Sequence, residues 1–152
     1  MEKSKINILV IIGLLIFICS LTYLTFDTND LMDVDGVKFT IPSGYHESAI
    51  KDGNLKANLT DGIHLLYIGV YNDSDVNKHV NDYVNEKSNT TNETINLSNF
   101  TIDGLVIHKS FSEKTNAIHY WFVKNGKVYT VYNWGGDNSK MDSTFVKLIG
   151  NM

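Results

Sequence analysis

The stretch Ala117 to Trp134, AIHYWFVKNGKVYTVYNW, decides how this chain is read. Two runs rich in aromatic and β-branched residues meet at Asn125-Gly126, a pair that tolerates the positive φ of a two-residue hairpin turn. Counting outward sets Val123 against Val128, Phe122 against Tyr129, Trp121 against Thr130, Tyr120 against Val131 and His119 against Tyr132. Alternation then puts Ile118, Tyr120, Phe122, Tyr129 and Val131 on one side of the ribbon. His119, Trp121, Val123, Val128, Thr130, Tyr132 and Trp134 take the other. Neither side is polar enough to face water along its length. The pair is therefore expected inside a sheet covered at least partly on both faces.

Before the hairpin, Val37, Phe39 and Ile41 alternate as in a half-buried first strand, which Pro42 ends because it has no N–H to give a ladder. The turn signals Lys51-Asp52-Gly53 and Asp61-Gly62 bracket a weak strand, Leu55 to Leu59, and precede a strong one, Ile63 to Tyr71. Asn72 to Asp75 supplies helix caps, and Val76, Val80, Tyr83, Val84 and Lys87 recur at helical spacing, predicting a helix over Asp75 to Lys87. Ser88 to Asn99 is polar and Asn-rich and reads as a loop with an edge strand. Asp103-Gly104 turns the chain between Phe100-Thr101-Ile102 and Leu105 to Phe111. After Gly135-Gly136, Met141, Phe145, Leu148 and Ile149 mark a closing helix that Gly150 stops. Hairpin turns outnumber crossovers, so an α+β domain is expected: a mainly antiparallel sheet covered by two helices.

Lys3 and Lys5 precede an uncharged run, Ile6 to Leu24, whose length as a helix is about 28 Å, close to bilayer hydrocarbon thickness. The lysines before it and Asp27, Asp30 and Asp33 after it orient the N-terminus to the cytoplasm. This predicts a single-pass protein of the cell membrane. Residues 1–25 form the transmembrane anchor, 26–33 a linker and 34–152 a domain displayed outside. A cleaved signal peptide is the competing reading, but the run is long for one and lacks an A-x-A site. The only cysteine, Cys19, lies within the run, so the exported part holds no disulfide and no cysteine-based metal site. All 13 basic residues are lysines, and the formal charge is -4. Without arginine or a lysine cluster, nucleic-acid recognition is excluded as a leading function.

The Gly-x-x-Phe-x-Ile-Pro-x-Gly-Tyr opening (Gly36 to Tyr45), the middle helix, the antiparallel meander, the Lys124 to Lys127 turn and the C-terminal helix together resemble small membrane-anchored proteins of methanogenic archaea. Those in turn resemble the PsbP-like α/β/α sandwich. The resemblance implies a binding or assembly domain without an active site, and it carries no functional residues over.

The residues themselves offer few chemical marks. None of the histidines, His46, His64, His79, His108 and His119, has a metal-binding spacing. His119 opposite Tyr132, with His108 one strand away, is the candidate metal or proton-transfer cluster. Packed strand histidines are the plainer reading. Trp121, Tyr132 and Trp134 form a candidate aromatic face for a sugar or peptide, against a core role under a helix. Asn58, Asn72, Asn89, Asn92, Asn96 and Asn99 each head an N-glycosylation sequon, meaningful only outside a membrane with a suitable transferase. No nucleophile elbow, phosphate loop or cofactor motif appears. The sequence favours a non-enzymatic, membrane-anchored binding or scaffolding domain with an envelope protein or glycan as partner and no cofactor. A small extracytoplasmic hydrolase or metal-binding protein using the His/Tyr cluster is the alternative.

Overall fold

The computed structural model describes residues 30–48, 52–134, 138–150 and 152, with the side chain of Trp134 excluded. The predicted anchor, Cys19, the first half of the linker (26–29) and the Gly135-Gly136 turn lie outside these residues. Among the described residues no helix is long and apolar enough to cross a membrane.

The two halves of the central stretch are β8 (Ala117–Lys124) and β9 (Lys127–Trp134). Asn125 and Gly126 take φ of 52° and 73°, and every pairing counted from the turn is realised, from Val123 with Val128 to His119 with Tyr132. The hairpin lies inside a seven-stranded antiparallel sheet. On one side of it run β5 (Leu65–Tyr71), β4 (Leu55–Thr60) and β3 (His46–Ser48); on the other run β7 (Leu105–Ser112) and β6 (Ile95–Ile102).

Both faces of the hairpin are covered, as its composition requires. On one face Ile118, Tyr120, Phe122, Tyr129 and Val131 join Leu59, Leu66, Ile68 and Ile107 in the main core. The helix α2 (Met141–Ile149) closes this face, with Phe145 stacked on Tyr120 at 4.0 Å and 6°. A separate ribbon of β1 (Leu31–Val34) and β2 (Val37–Thr40) fills the rest, setting Phe39 against Phe122 and Tyr129. Its turn is tied to β9 by Lys127 Nζ to Asp35 Oδ2 at 2.6 Å and by the Tyr129 hydroxyl donating to the Asp35 carbonyl. The other face carries α1 (Val76–Thr91), packed over β8 and β6 through Val80 and Tyr83 above Trp121 and Val128.

Two sequence expectations need correction. The linker is expected to run to residue 33, but β1 begins at Leu31, because Met32 and Val34 alternate inward and Asp35-Gly36 (φ 56° and 84°) makes a second tight hairpin. Ser88 to Asn99 does hold the expected edge strand, β6 from Ile95, but its first residues are not loop. The helix continues to Thr91, where the hydroxyls of Thr90 and Thr91 bond back to the carbonyls of Glu86 and Lys87, and Asn92 ends it in the left-handed region. From Ile95 the chain pairs along the whole of β7. Gly150 ends α2, as expected, at φ −65°.

Gly69 of β5 leaves no room for a side chain. A Cβ there would lie 2.8 Å from Thr130 Cγ2 and 3.3 Å from the Asn54 carbonyl oxygen. Gly69→Ala should destabilise the domain by about 1–3 kcal/mol in urea titration. Thr130→Ser, which removes the offending methyl, should recover part of that loss in the double variant.

Candidate functional site

The two ends of α1 are held by dense polar networks. At its start Asp75 caps the helix by accepting from the Lys78 N–H at 3.0 Å. Asp73 accepts from the Asp75 N–H, and its carboxylate lies 3.0 and 2.9 Å from His79 Nε2. That hydrogen bond holds the Asp73 carboxyl below the usual range. The Asp73 carbonyl receives the Val128 N–H at 2.7 Å, pinning the turn to β9, and Tyr71 stacks on the His79 ring at 4.0 Å. Beyond the other end, buried Glu93 receives the hydroxyls of Ser112, Thr91 and Thr115. Those bonds, Ser112's foremost, keep Glu93 ionised to lower pH than usual. Lys114 Nζ donates to the Thr91 carbonyl.

Between these ends the opposite situation holds. Register places Asn58, Tyr67, Tyr132, His119 and Ser110 opposite one another in a single row across β4, β5, β9, β8 and β7. Alternation points the row toward the α1 side, since Ala57, Leu59, Ile118 and Tyr120 belong to the other core. Tyr67 stacks on Tyr132 at 5.0 Å, and Tyr132 on His119 at 4.7 Å and 13°. Tyr83 reaches down from α1 to within 4.3 Å of the His119 ring and 5.3 Å of Trp121. Yet His119 Nε2, Ser110 Oγ, both amide atoms of Asn58, Thr130 Oγ1 of the next row and the Tyr83 hydroxyl are sealed from solvent with no hydrogen-bond partner. Among the described residues every such buried, unpartnered side-chain atom lies on this one side of the sheet. Each costs about 1–3 kcal/mol when left unsatisfied, and native interiors hold few of them.

Three of these groups, Tyr83, His119 and Thr130, line one cleft of about 500 Å³ between α1 and the sheet. Tyr71, His79, Trp121 and Tyr132 complete its aromatic wall, and Asp82, Glu86 and Lys87 line it as well. Burial, reinforced by the charge of Lys87, pushes His119 down to about 3, so its imidazole is uncharged at ordinary pH. Burial, with Glu93 and Glu86 nearby, pushes the Tyr83 hydroxyl up to about 12. Burial likewise raises Tyr71 and Tyr132.

Of the candidate His/Tyr cluster, the structure joins His119 with Tyr132. His108 pairs with Trp121 and Asn99, one row away from His119, and among the described residues no group of three or more His, Cys, Asp or Glu is placed to hold a metal ion. Of the candidate aromatic face, Tyr132 is half-buried, while Trp121 is 3% exposed beneath α1 and presents no open platform. Trp134 pairs with Ala117 in the ladder, and its side chain falls outside the description. The sequon residues Asn72, Asn89, Asn92, Asn96 and Asn99 are exposed, but Asn58 is fully buried in the row and offers a transferase no surface in the folded domain. Asn58, Ser110, Thr130 and Tyr83 were not legible as a set. The signal was a polar residue set between apolar ones on a strand, as in Ala57-Asn58-Leu59, and it needs the strand order to become a row.

Comparison with known proteins separates sequence from fold. No protein-family model and no curated protein matches the chain. Among solved structures it is similar to the solution structure of cyanobacterial PsbP (CyanoP) from Synechocystis sp. PCC 6803. The TM-score is 0.55 at 10% sequence identity, covering 77% of this chain and 87% of that one. The fold is PsbP-like. At that identity the likeness concerns the arrangement of the PsbP-like sheet and helices, not the side chains in the cleft.

The unpartnered groups have a measurable signature. Thr130→Val and Tyr83→Phe each remove a buried polar atom with little change of shape, so urea unfolding should show equal or higher stability for both. The stability of the wild type should also fall as pH drops below about 6.5, because the unfolded chain binds a proton at His119 that the folded chain refuses until about pH 3. His119→Phe should flatten that slope between about pH 6.5 and 4.5, above the range in which Asp and Glu titrate.

Proposed function

We propose that the chain is a non-enzymatic binding protein held in the cell membrane by its N-terminal run. Its PsbP-like domain, displayed outside, captures an envelope component in the cleft beneath α1. The observation that carries the reading is the open cleft of about 500 Å³ between α1 and the sheet, walled by Tyr71, Tyr83, His119, Trp121 and Tyr132. The membrane address is supported by the charge asymmetry around Ile6 to Leu24. The binding role is supported by the resemblance to a fold whose members are mostly binding or assembly factors. Anchoring keeps the domain at high local concentration beside an envelope partner.

The test uses the full chain in its membrane, with a photoreactive residue replacing Asp82 at the mouth of the cleft. External protease on cells with the wall removed should cleave the domain while the cytoplasmic contents stay intact. Illumination should give a discrete adduct whose yield drops at least tenfold when Tyr71→Leu and Tyr132→Leu are combined. Recovery of the chain from the soluble cell interior with Met1 in place would contradict the address. An adduct yield unchanged by the double variant would contradict the cleft.

A further inference from the structure

Resting on the membrane address proposed above, we infer that the tip of the β4–β5 hairpin, Asp61-Gly62-Ile63-His64, is a lipid-contact site. Ile63 enters the headgroup and upper acyl region of the membrane that holds the N-terminal run. The argument starts from where exposed apolar residues stand. Ile63 is 85% exposed, more than any other large apolar residue described, and Leu65, two residues on, is also exposed. So is Leu31, where β1 begins. Leu97, Val106 and Val146 lie elsewhere, and scattered residues of that kind are ordinary. The first three share one end of the domain.

Register fixes that end. β5 starts beside Asn133 and finishes beside Val128, next to the Asn125-Gly126 turn, so the 61–64 tip lies at the opposite end of the sheet. The β1–β2 ribbon runs the same way: its Asp35-Gly36 turn is tied to Lys127, and its open end sets Leu31 opposite Thr40. Ser43 and Tyr45, which follow that open end, line one cleft with Asp61, His64 and Lys140. The chain therefore enters the domain on the side of the Ile63 tip. Asp30 follows Leu24 by six residues, which reach no more than about 20 Å when fully extended. With the run in a bilayer, so short a tether leaves this end within reach of the headgroups.

The turns at the two ends differ as lipid contact requires. At the far end the tips are Asp35-Gly36, Asp103-Gly104 and Asn125-Gly126, all polar. At the near end Glu113 to Asn116 is polar too, which confines the contact to the β4–β5 side. The backbone of the apolar tip is suited to a poorly hydrated place. Thr60 Oγ1 receives the Gly62 N–H at 3.0 Å, and Asp61 Oδ1 receives the N–H groups of Ile63 and His64 at 2.9 and 2.6 Å. The Asp61 N–H donates to the His64 carbonyl, and Asp61 Oδ2 lies 2.8 Å from His64 Nδ1. Every amide from Asp61 to His64 thus has a partner within the hairpin, so Ile63 can leave water without stranding a donor. Three donors share the charge of Asp61, the one carboxylate of the tip. Exposed Lys140 in the adjoining cleft supplies a cation for a headgroup phosphate.

The experiment reconstitutes the full chain, carrying Cys19→Ser, in protein-free vesicles of phosphatidylcholine and phosphatidylglycerol. A fluorophore is attached at His46→Cys, an exposed position paired with Thr60 beside the tip, so that Ile63 stays in place. A second preparation carries it at Lys124→Cys, next to the far turn. Lipids bearing a nitroxide near the top of the acyl chain should quench the His46 probe at least threefold more than the Lys124 probe. Adding Ile63→Asp should bring the His46 value down to the Lys124 level with the thermal midpoint unchanged, since the side chain is exposed. The inference is overturned if the two probes are quenched alike or if Ile63→Asp leaves the difference intact. Shielding of the His46 probe in native membranes only would mark a protein contact and overturn it equally. Flotation separates this from the broader reading. A chain that floats with the vesicles after alkaline washing but shows no quenching difference loses the tip contact alone. A chain that stays behind loses the membrane address, and the tip contact with it.

Discussion

The structure depends on the burial of both faces of the β8–β9 hairpin. A ribbon with Tyr120, Phe122, Tyr129 and Val131 on one side and Trp121, Val128 and Thr130 on the other cannot sit at a solvated surface. It requires neighbouring strands at both edges and a cover on each face. The strand order supplies the edges; α2 with the β1–β2 ribbon covers one face and α1 the other. In the absence of disulfides, packing on this scale has to supply the stability, and the larger core, centred on Tyr120, Phe122, Phe39 and Phe145, supplies most of it.

The two covers differ in kind. The α2 side is largely apolar and its polar groups are partnered: buried Asn133 donates to Asn138, and the Tyr120 hydroxyl is received by Asp142, which in turn pairs with Lys109. The α1 side is a much smaller apolar cluster, with polar groups set into the sheet beside it. Both ends of its helix are firmly anchored, by Asp73 and His79 at one and by Glu93, Ser112 and Lys114 at the other. The α2 side thus supplies most of the packing, and the α1 side leaves polar groups unsatisfied beside a smaller apolar cluster.

The sequence reveals the fold more readily than the site, for a physical reason. The Asn125-Gly126 turn, the alternation around it and the period of Val76, Val80 and Tyr83 are local properties, and local physics alone predicts them. The errors fell where polar residues form regular structure. Ser88 to Asn99 looks like a loop by composition, yet its threonines bond back to the helix and its strand borrows order from β7. The candidate site was only partly legible: the hairpin count paired His119 with Tyr132, but Asn58, Tyr67 and Ser110 join them through strand order, which no local pattern encodes. Trp121 shows the same limit from the other direction, since its burial is decided by a helix far from it in sequence.

Hydrogen–deuterium exchange of the full chain, with and without detergent-solubilised native envelope, tests most directly the claim that the α1 side of the central hairpin is the binding face. The account predicts added protection concentrated in Val76–Thr91 and in β8 and β9, with the β6 edge and the α2 face unchanged. Protection confined to Ile95–Ile102 or to Met141–Ile149 would contradict it.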